Sequence, residues 1–162
     1  VKIGESIELG NGVVVEPGKL NHPGEATGYR VSWGDEVAVY ATDTEHYRDR
    51  LDPNLVYLAR DADVLILDST YTDDEYWSEK SSKIGWGHST WQEAVKVAEA
   101  ANVKKLVVFH HDPCHCDEKL DEIGKLLSER FPDALMAKEG TSLHISSFDS
   151  KEKMDLPSLS PT

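Results

Sequence analysis

Over residues 1–42, hydrophobic positions gather in short β-rich runs: SIELG, GVVVEP, TGYRVSW and EVAVYAT. Turn pairs such as Asn11-Gly12, Pro17-Gly18 and Gly34-Asp35 separate them, so the pattern predicts a β meander. After Asp43 the pattern changes. Asp52-Pro53-Asn54 is suited to opening a short helix through LVYLAR, and ADVLILD follows as a continuous apolar run of buried-strand type. Residues 90–101 read as a helix with Ala94, Val97, Ala98 and Ala101 on one face, started by a capping box of Ser89 with Gln92 or Thr90 with Glu93. KKLVVF is a second buried strand. Residues 117–131 form an acidic-to-basic helix with Leu120, Ile123, Leu127 and Phe131 inward, and ALMAKEG and TSLHISSF close as two short strands. The order is a β meander followed by β-α-β-α-β. Residues 149–162, rich in proline and serine, read as a disordered tail.

At 162 residues the chain has room for one domain with a real core. Its net charge of −13 argues against a general binder of nucleic acid or anionic membrane, unless a basic patch or bound metals intervene. No run of apolar residues is long enough to span a bilayer and no signal-like segment is present, so a soluble cytoplasmic protein is expected. The start on VKIGES, without methionine and already in strand-like sequence, suggests a fragment or a processed piece.

Charge and chemistry concentrate at strand ends. His22 follows VVVEPGKLN, Asp43 ends VAVYAT, Asp68 ends VLIL and His110 ends KLVVF. In α/β architectures ligands and catalytic groups gather at the carboxyl ends of strands, so these four make a convergent site plausible. The stretch VVFHHDPCHCDE around His110 also holds Cys114 and Cys116, the chain's two cysteines. Spaced i, i+2, they rarely meet disulfide geometry without strain and read as free thiols. As zinc ligands, Cys114, His115 and Cys116 stand closer together than the usual two-to-four-residue spacing. The stretch reads instead as one corner of a larger site, with His110 inward, His111 turned away, and Asp112, His115 and Asp117 on the rim or capping the next helix. His46 and His144 read as ordinary, partly exposed residues.

The segments LNHPGEATGYRV, VYATDTE, VLILDSTY, GHSTWQEAVKVA and LVVFHHDP, in that order, resemble the back half of the metallo-β-lactamase fold, in the flavour of its ribonuclease Z and phosphodiesterase branch. The resemblance covers about residues 5–146. It implies an α+β, four-layer αββα architecture, of which residues 1–148 supply the C-terminal αβ half. It also implies that His22 and His110 are metal ligands and that Asp43 bridges two divalent ions. Imidazole and carboxylate donors suit zinc, with manganese or iron as alternatives. The family's remaining ligands belong to an upstream His-x-His-x-Asp-His motif, which this sequence does not contain.

In the same branch an acid at the position of Asp68 orients a histidine at the position of His88, which protonates the leaving oxygen or meets the scissile phosphate. An imidazole held by a carboxylate has a fixed tautomer and a raised pKa, as a general acid requires. The bland alternatives are a strand-end hydrogen bond for His22 or His110, a turn role for Asp43 or Asp68, and a helix-start role for His88.

The expected function is a binuclear metal-dependent hydrolase acting on a small phosphodiester, active only with an N-terminal half carrying the missing motif. A tRNA-processing ribonuclease Z usually carries a long arm between its third-motif histidine and its bridging aspartate. Here His22 and Asp43 stand 21 positions apart, so tRNA is expected to be an unlikely partner. The alternative is a non-catalytic half-domain serving as an interaction or structural module. A lone half would leave one sheet face bare, an aggregation hazard, so the parent protein is expected to carry the other half, with a homo-oligomer also open.

Overall fold

The computed structural model describes residues 2–145; the expected tail at 149–162 and the end of TSLHISSF lie outside that range. Seven strands form one sheet in sequence order: β1 (Ile7–Gly10), β2 (Val13–Lys19), β3 (Thr27–Trp33), β4 (Glu36–Ala41), β5 (Val64–Asp68), β6 (Lys105–Phe109) and β7 (Ala134–Met136). β1 to β4 pair antiparallel, whereas β4, β5, β6 and β7 run parallel. The meander and the parallel half thus meet at β4. Because β2 points the same way as β4, the chain leaves β2, β4, β5 and β6 at one edge of the sheet.

Helices α1 (Pro53–Ala59), α3 (Trp91–Ala100) and α4 (Asp117–Arg130) supply the crossovers, with a short α2 (Asp73–Tyr76) ahead of α3. Local chemistry sets their starts. Asp52 caps α1 by accepting from Asn54 N at 2.9 Å, with Pro53 in the first turn. Thr90, not Ser89, caps α3 by accepting from Glu93 N at 3.2 Å. A reciprocal capping box forms instead at α2, between Thr72 and Glu75. Helix α4 starts at Cys116 with no side-chain cap, so Asp117 is a first-turn acid beside the helix N-terminus and not its cap.

Leu65, Leu67, Leu106 and Val108 point from the central strands into a core completed by Leu58 of α1, Val95 and Ala98 of α3, and Ile123 and Leu127 of α4. Arg30 is nearly buried at its edge and donates to the carbonyls of Leu58 (3.0 Å) and Arg60 (2.7 Å), satisfying the C-terminal end of α1. The opposite face is open. Val31, Trp33, Tyr40, Phe109 and Leu135 lie on it with 37–51% of their surface exposed, and the rings of Tyr40 and Phe109 stand 6.0 Å apart between centroids. The apolar runs of β5 and β6 are the pattern of strands meant to be covered on both faces.

The first of the two expected C-terminal strands is shorter than the sequence suggests. β7 stops at Met136 because Lys138, Glu139 and Gly140 (φ +78°) turn the chain, and residues 141–145 carry no strand. No described helix is long and apolar enough to cross a membrane.

Candidate metal centre

The shared strand edge collects the expected residues. His22 follows β2, Asp43 follows β4, Asp68 ends β5, His110 follows β6, and His88 precedes α3 in the β5–β6 crossover. One ligand atom each from His22, Asp43 and His88 lies within 4.8 Å of the others, and the same holds for Asp68, His88 and His110. His110 Nε2 stands 3.8 Å from Asp43 Oδ1, which joins the two groups. The His88 ring stacks on that of His110 at 4.8 Å and meets that of His22 edge-on at 5.7 Å.

Asp68 is the centre of this arrangement. Fully buried, it accepts from His88 Nδ1 (2.9 Å) and Asp43 N (3.0 Å) on one oxygen. Its other oxygen accepts from Thr70 Oγ1 (3.0 Å), Thr70 N (3.3 Å) and Ser89 N (3.1 Å). A buried carboxylate needs such donors, since an unpaired one is strongly penalised. Asp68 therefore orients more than His88: it also ties down the backbone that presents Asp43. Thr70, unremarked in the sequence, has a single hydroxyl proton shared between Asp68 and the His110 carbonyl at 2.8 Å, and its oxygen lies 3.1 Å from His110 Nδ1.

Backbone conformation marks the same residues. Asp43 (φ +60°) and His110 (φ +64°) sit in the left-handed region, which non-glycine residues occupy at a penalty and which concentrates at functional sites. Gly87 (φ +89°) was also missed by sequence reading, and its signal is the pair of glycines in GWGH. A Cβ there would fall 2.2 Å from His22 Cδ2 and 2.6 Å from its Nε2. Gly87→Ala is expected to destabilise the protein by about 1–3 kcal/mol through strain and overpacking and to displace His22. Denaturant melts check the first effect and metal titration the second; unchanged metal affinity would remove His22 from the ligand set.

The donor set fits divalent zinc, manganese or iron. One detail requires rearrangement. Gly24 N donates to His22 Nδ1 at 2.9 Å, which leaves the neutral ring's proton on Nε2. Ligation through Nε2 therefore needs the Gly24 contact to break or the ring to turn over.

The Asp68 hydrogen bond raises the His88 pKa above its ordinary 6.5, outweighing burial, which lowers it. In the metal-free chain the resulting stabilisation is fully present below the ordinary value and is lost as pH rises through the raised one. NMR titration of that chain should place His88 above 6.5, and Asp68→Asn should bring it back; a His88 that titrates at or below 6.5 contradicts the pairing.

The remaining histidines differ from expectation in part. His46 is half-buried, with its ring 4.3 Å from that of Tyr76 and Nδ1 3.0 Å from Ser89 Oγ, and burial lowers its pKa below the ordinary value. Among the described residues His46 Nε2 and Thr44 Oγ1 have no hydrogen-bond partner, and both residues line a small space of about 10 Å³ together with Leu67 and Ser89. His115 bonds Glu75 at 2.8 Å, while Asp112 accepts from Cys114 N in a local turn. Cys114 and Cys116 are exposed free thiols, and His144 is exposed.

Residues 1–111 match the Beta-lactamase superfamily domain. The chain belongs to the beta-lactamase superfamily. Among its relatives, ribonuclease Z of Lactobacillus helveticus is 30% identical over 99 residues, which is 61% of this chain and 30% of that enzyme. The metallo-beta-lactamase fold protein YhfI from Bacillus subtilis superposes with a TM-score of 0.70 at 20% identity, over 87% of this chain and 52% of YhfI. A diphosphatase of the PhnP family superposes at 0.63 with 23% identity, over 86% of this chain and 46% of that one. The chain thus spans about half or less of the superfamily members it matches, and supplies the αβ half of their fold. Members of this superfamily are metal-dependent hydrolases, and the His/Asp groups described above are the corresponding candidates here.

Proposed function

We propose that this chain is the C-terminal half, over residues 1–148, of a binuclear metal-dependent phosphodiesterase. In this reading His22, Asp43 and His110 hold two divalent ions, zinc by preference, together with a His-x-His-x-Asp-His motif from an N-terminal half that covers the open sheet face. The observation that carries the reading is the buried Asp68 holding His88 at 2.9 Å beside His110 and Asp43.

Bound ions would supply Lewis acidity toward the phosphoryl oxygens and favour the hydroxide form of a nucleophilic water. The chain's own residues do the rest. Asp68 fixes the Nδ1–H tautomer of His88 and favours its protonated form, so that Nε2–H can be delivered to the departing oxygen. Ser89 N and Thr70 hold Asp68 in turn, and the left-handed turns at Asp43 and His110 keep these two side chains on the same edge of the sheet.

A small phosphodiester is the proposed substrate, supported by the short connection from His22 to Asp43 and by a relative described as a diphosphatase. The charge argument against tRNA does not stand alone, because the likeness to ribonuclease Z favours an RNA substrate. Comparing kcat/KM for a nucleotide-sized phosphodiester and for a tRNA precursor, with the protein expressed from its complete gene, decides between them. Hydrolysis of neither would sink the phosphodiesterase reading.

A further inference from the structure

We propose that Glu45 is a positioning residue that fixes His22, Asp43 and His88 relative to one another, by serving as the internal anion of a backbone cradle in the loop ahead of α3. Glu45 lies two positions after Asp43 and is 8% exposed. Its main chain grips the segment that carries His22: Glu45 N donates to Asn21 O at 2.7 Å, and Asn21 Nδ2 donates back to Glu45 O at 2.8 Å. Its carboxylate grips the segment that carries His88. Oε1 accepts from Gly85 N at 2.6 Å and from the Tyr76 hydroxyl, while Oε2 accepts from Gly87 N at 3.0 Å. Three site-bearing segments therefore meet at one residue.

The chemistry calls for a carboxylate at this point. Three donors converge, and an ionised carboxylate accepts on both oxygens and donates nothing. Tyr76 stays a donor because burial, then the Glu45 hydrogen bond, push its phenol pKa far up. Gly85 (φ +83°) and Gly87 (φ +89°) turn their amides toward a common point, the geometry of an anion-binding concavity. Here the anion is part of the protein.

The loop also needs such an anchor. Residues 79–82 and 84–86 are exposed, and the bonds inside the loop, such as Trp86 N to Lys83 O, are local. Among the described residues, the hydrogen bonds that carry residues 77–87 to the Asp43 segment are those of Gly85 and Gly87 to Glu45. Without them Gly87 loses its hold beside His22, and His88 loses the chain that leads into it.

The kinetic part of this proposal rests on the proposed function; the structural part does not. The test uses Glu45→Gln in the protein expressed from its complete gene. Glutamine keeps the size but presents one amide nitrogen, so at least one of the three donors meets another donor. Amide hydrogen exchange at Gly85 and Gly87 should accelerate about 10- to 100-fold, the loss expected for a hydrogen bond to a charged group. The kcat for an alkyl phosphodiester should fall about 10-fold or more, with a smaller fall for a nitrophenyl ester and little change in KM. A role confined to general stability would lower both esters alike. Tyr76→Phe, which removes one donor and leaves both glycine amides in place, should show the same pattern at smaller scale and serves if Glu45→Gln does not fold. Unchanged glycine exchange overturns the proposal, as does faster exchange with kcat unmoved. A parent protein that hydrolyses neither ester overturns the proposed function instead, while the exchange data still decide whether Glu45 holds the loop.

Discussion

His88→Ala is expected to lower kcat for a phosphodiester with a poor leaving group by about 10²–10⁴-fold, the usual range for a positioned general acid. The reason is its placement. Nδ1 is committed to the fully buried Asp68 at 2.9 Å, so the ring has one orientation and one nitrogen left for chemistry. A nitrophenyl leaving group needs little protonation, so the loss should shrink as leaving-group pKa falls. Steady-state rates over a series of leaving groups, with wild type and variant, check this. Equal losses across the series would mean that His88 acts by some other route. A carboxylate-held histidine is also how proteins orient metal ligands, and His88 falls in both groups of ligand-competent side chains, so ligation is the specific rival.

Asp43→Asn should produce a different failure, with metal and activity lost together. Asparagine tolerates the left-handed turn at this position nearly as well as aspartate, so the substitution removes charge without adding backbone strain. Replacing partners outside the ligand shell typically lowers metal affinity 10–100-fold, so removing a carboxylate proposed as a ligand should lower it by more than about 100-fold. Competition with a chromophoric chelator measures this. Because Asp43 also faces His110 at 3.8 Å, loss of its charge should weaken whatever holds that ring in the metal-free protein. An Asp43→Asn protein that keeps full metal affinity would reduce Asp43 to a turn residue.

Much of this arrangement is legible in the sequence because it follows from short-range rules. The short runs parted by turn pairs before Asp43 and the continuous runs in β5 and β6 report the change from meander to parallel sheet, and strand direction then brings His22, Asp43, Asp68 and His110 to one edge. Other features depend on contacts between segments far apart in the chain, for which no local pattern exists. Glu45 reads as an ordinary acid until Gly85 and Gly87 are seen to converge on it. Asp68 reads as the partner of His88 alone until Asp43 N is found on the same oxygen. Helix α2 is too short to show a helical period, and its capping box emerges only from the side-chain geometry of Thr72 and Glu75. Of the strand expected over TSLHISSF, residues 141–145 carry none, following the turn at Gly140, and the remainder lies outside the described residues.

The division of labour between His22, Asp43 and His110 as ligands and His88 as proton donor is tested most directly by anomalous diffraction at the zinc edge from crystals of the complete protein. The expected result is density at bonding distance, about 2.0–2.2 Å, from the side chains of His22, Asp43 and His110, with the Gly24–His22 hydrogen bond rearranged and His88 Nδ1 still on Asp68. An anomalous peak at that distance from His88 Nε2 would make His88 a ligand and contradict its assignment as the acid.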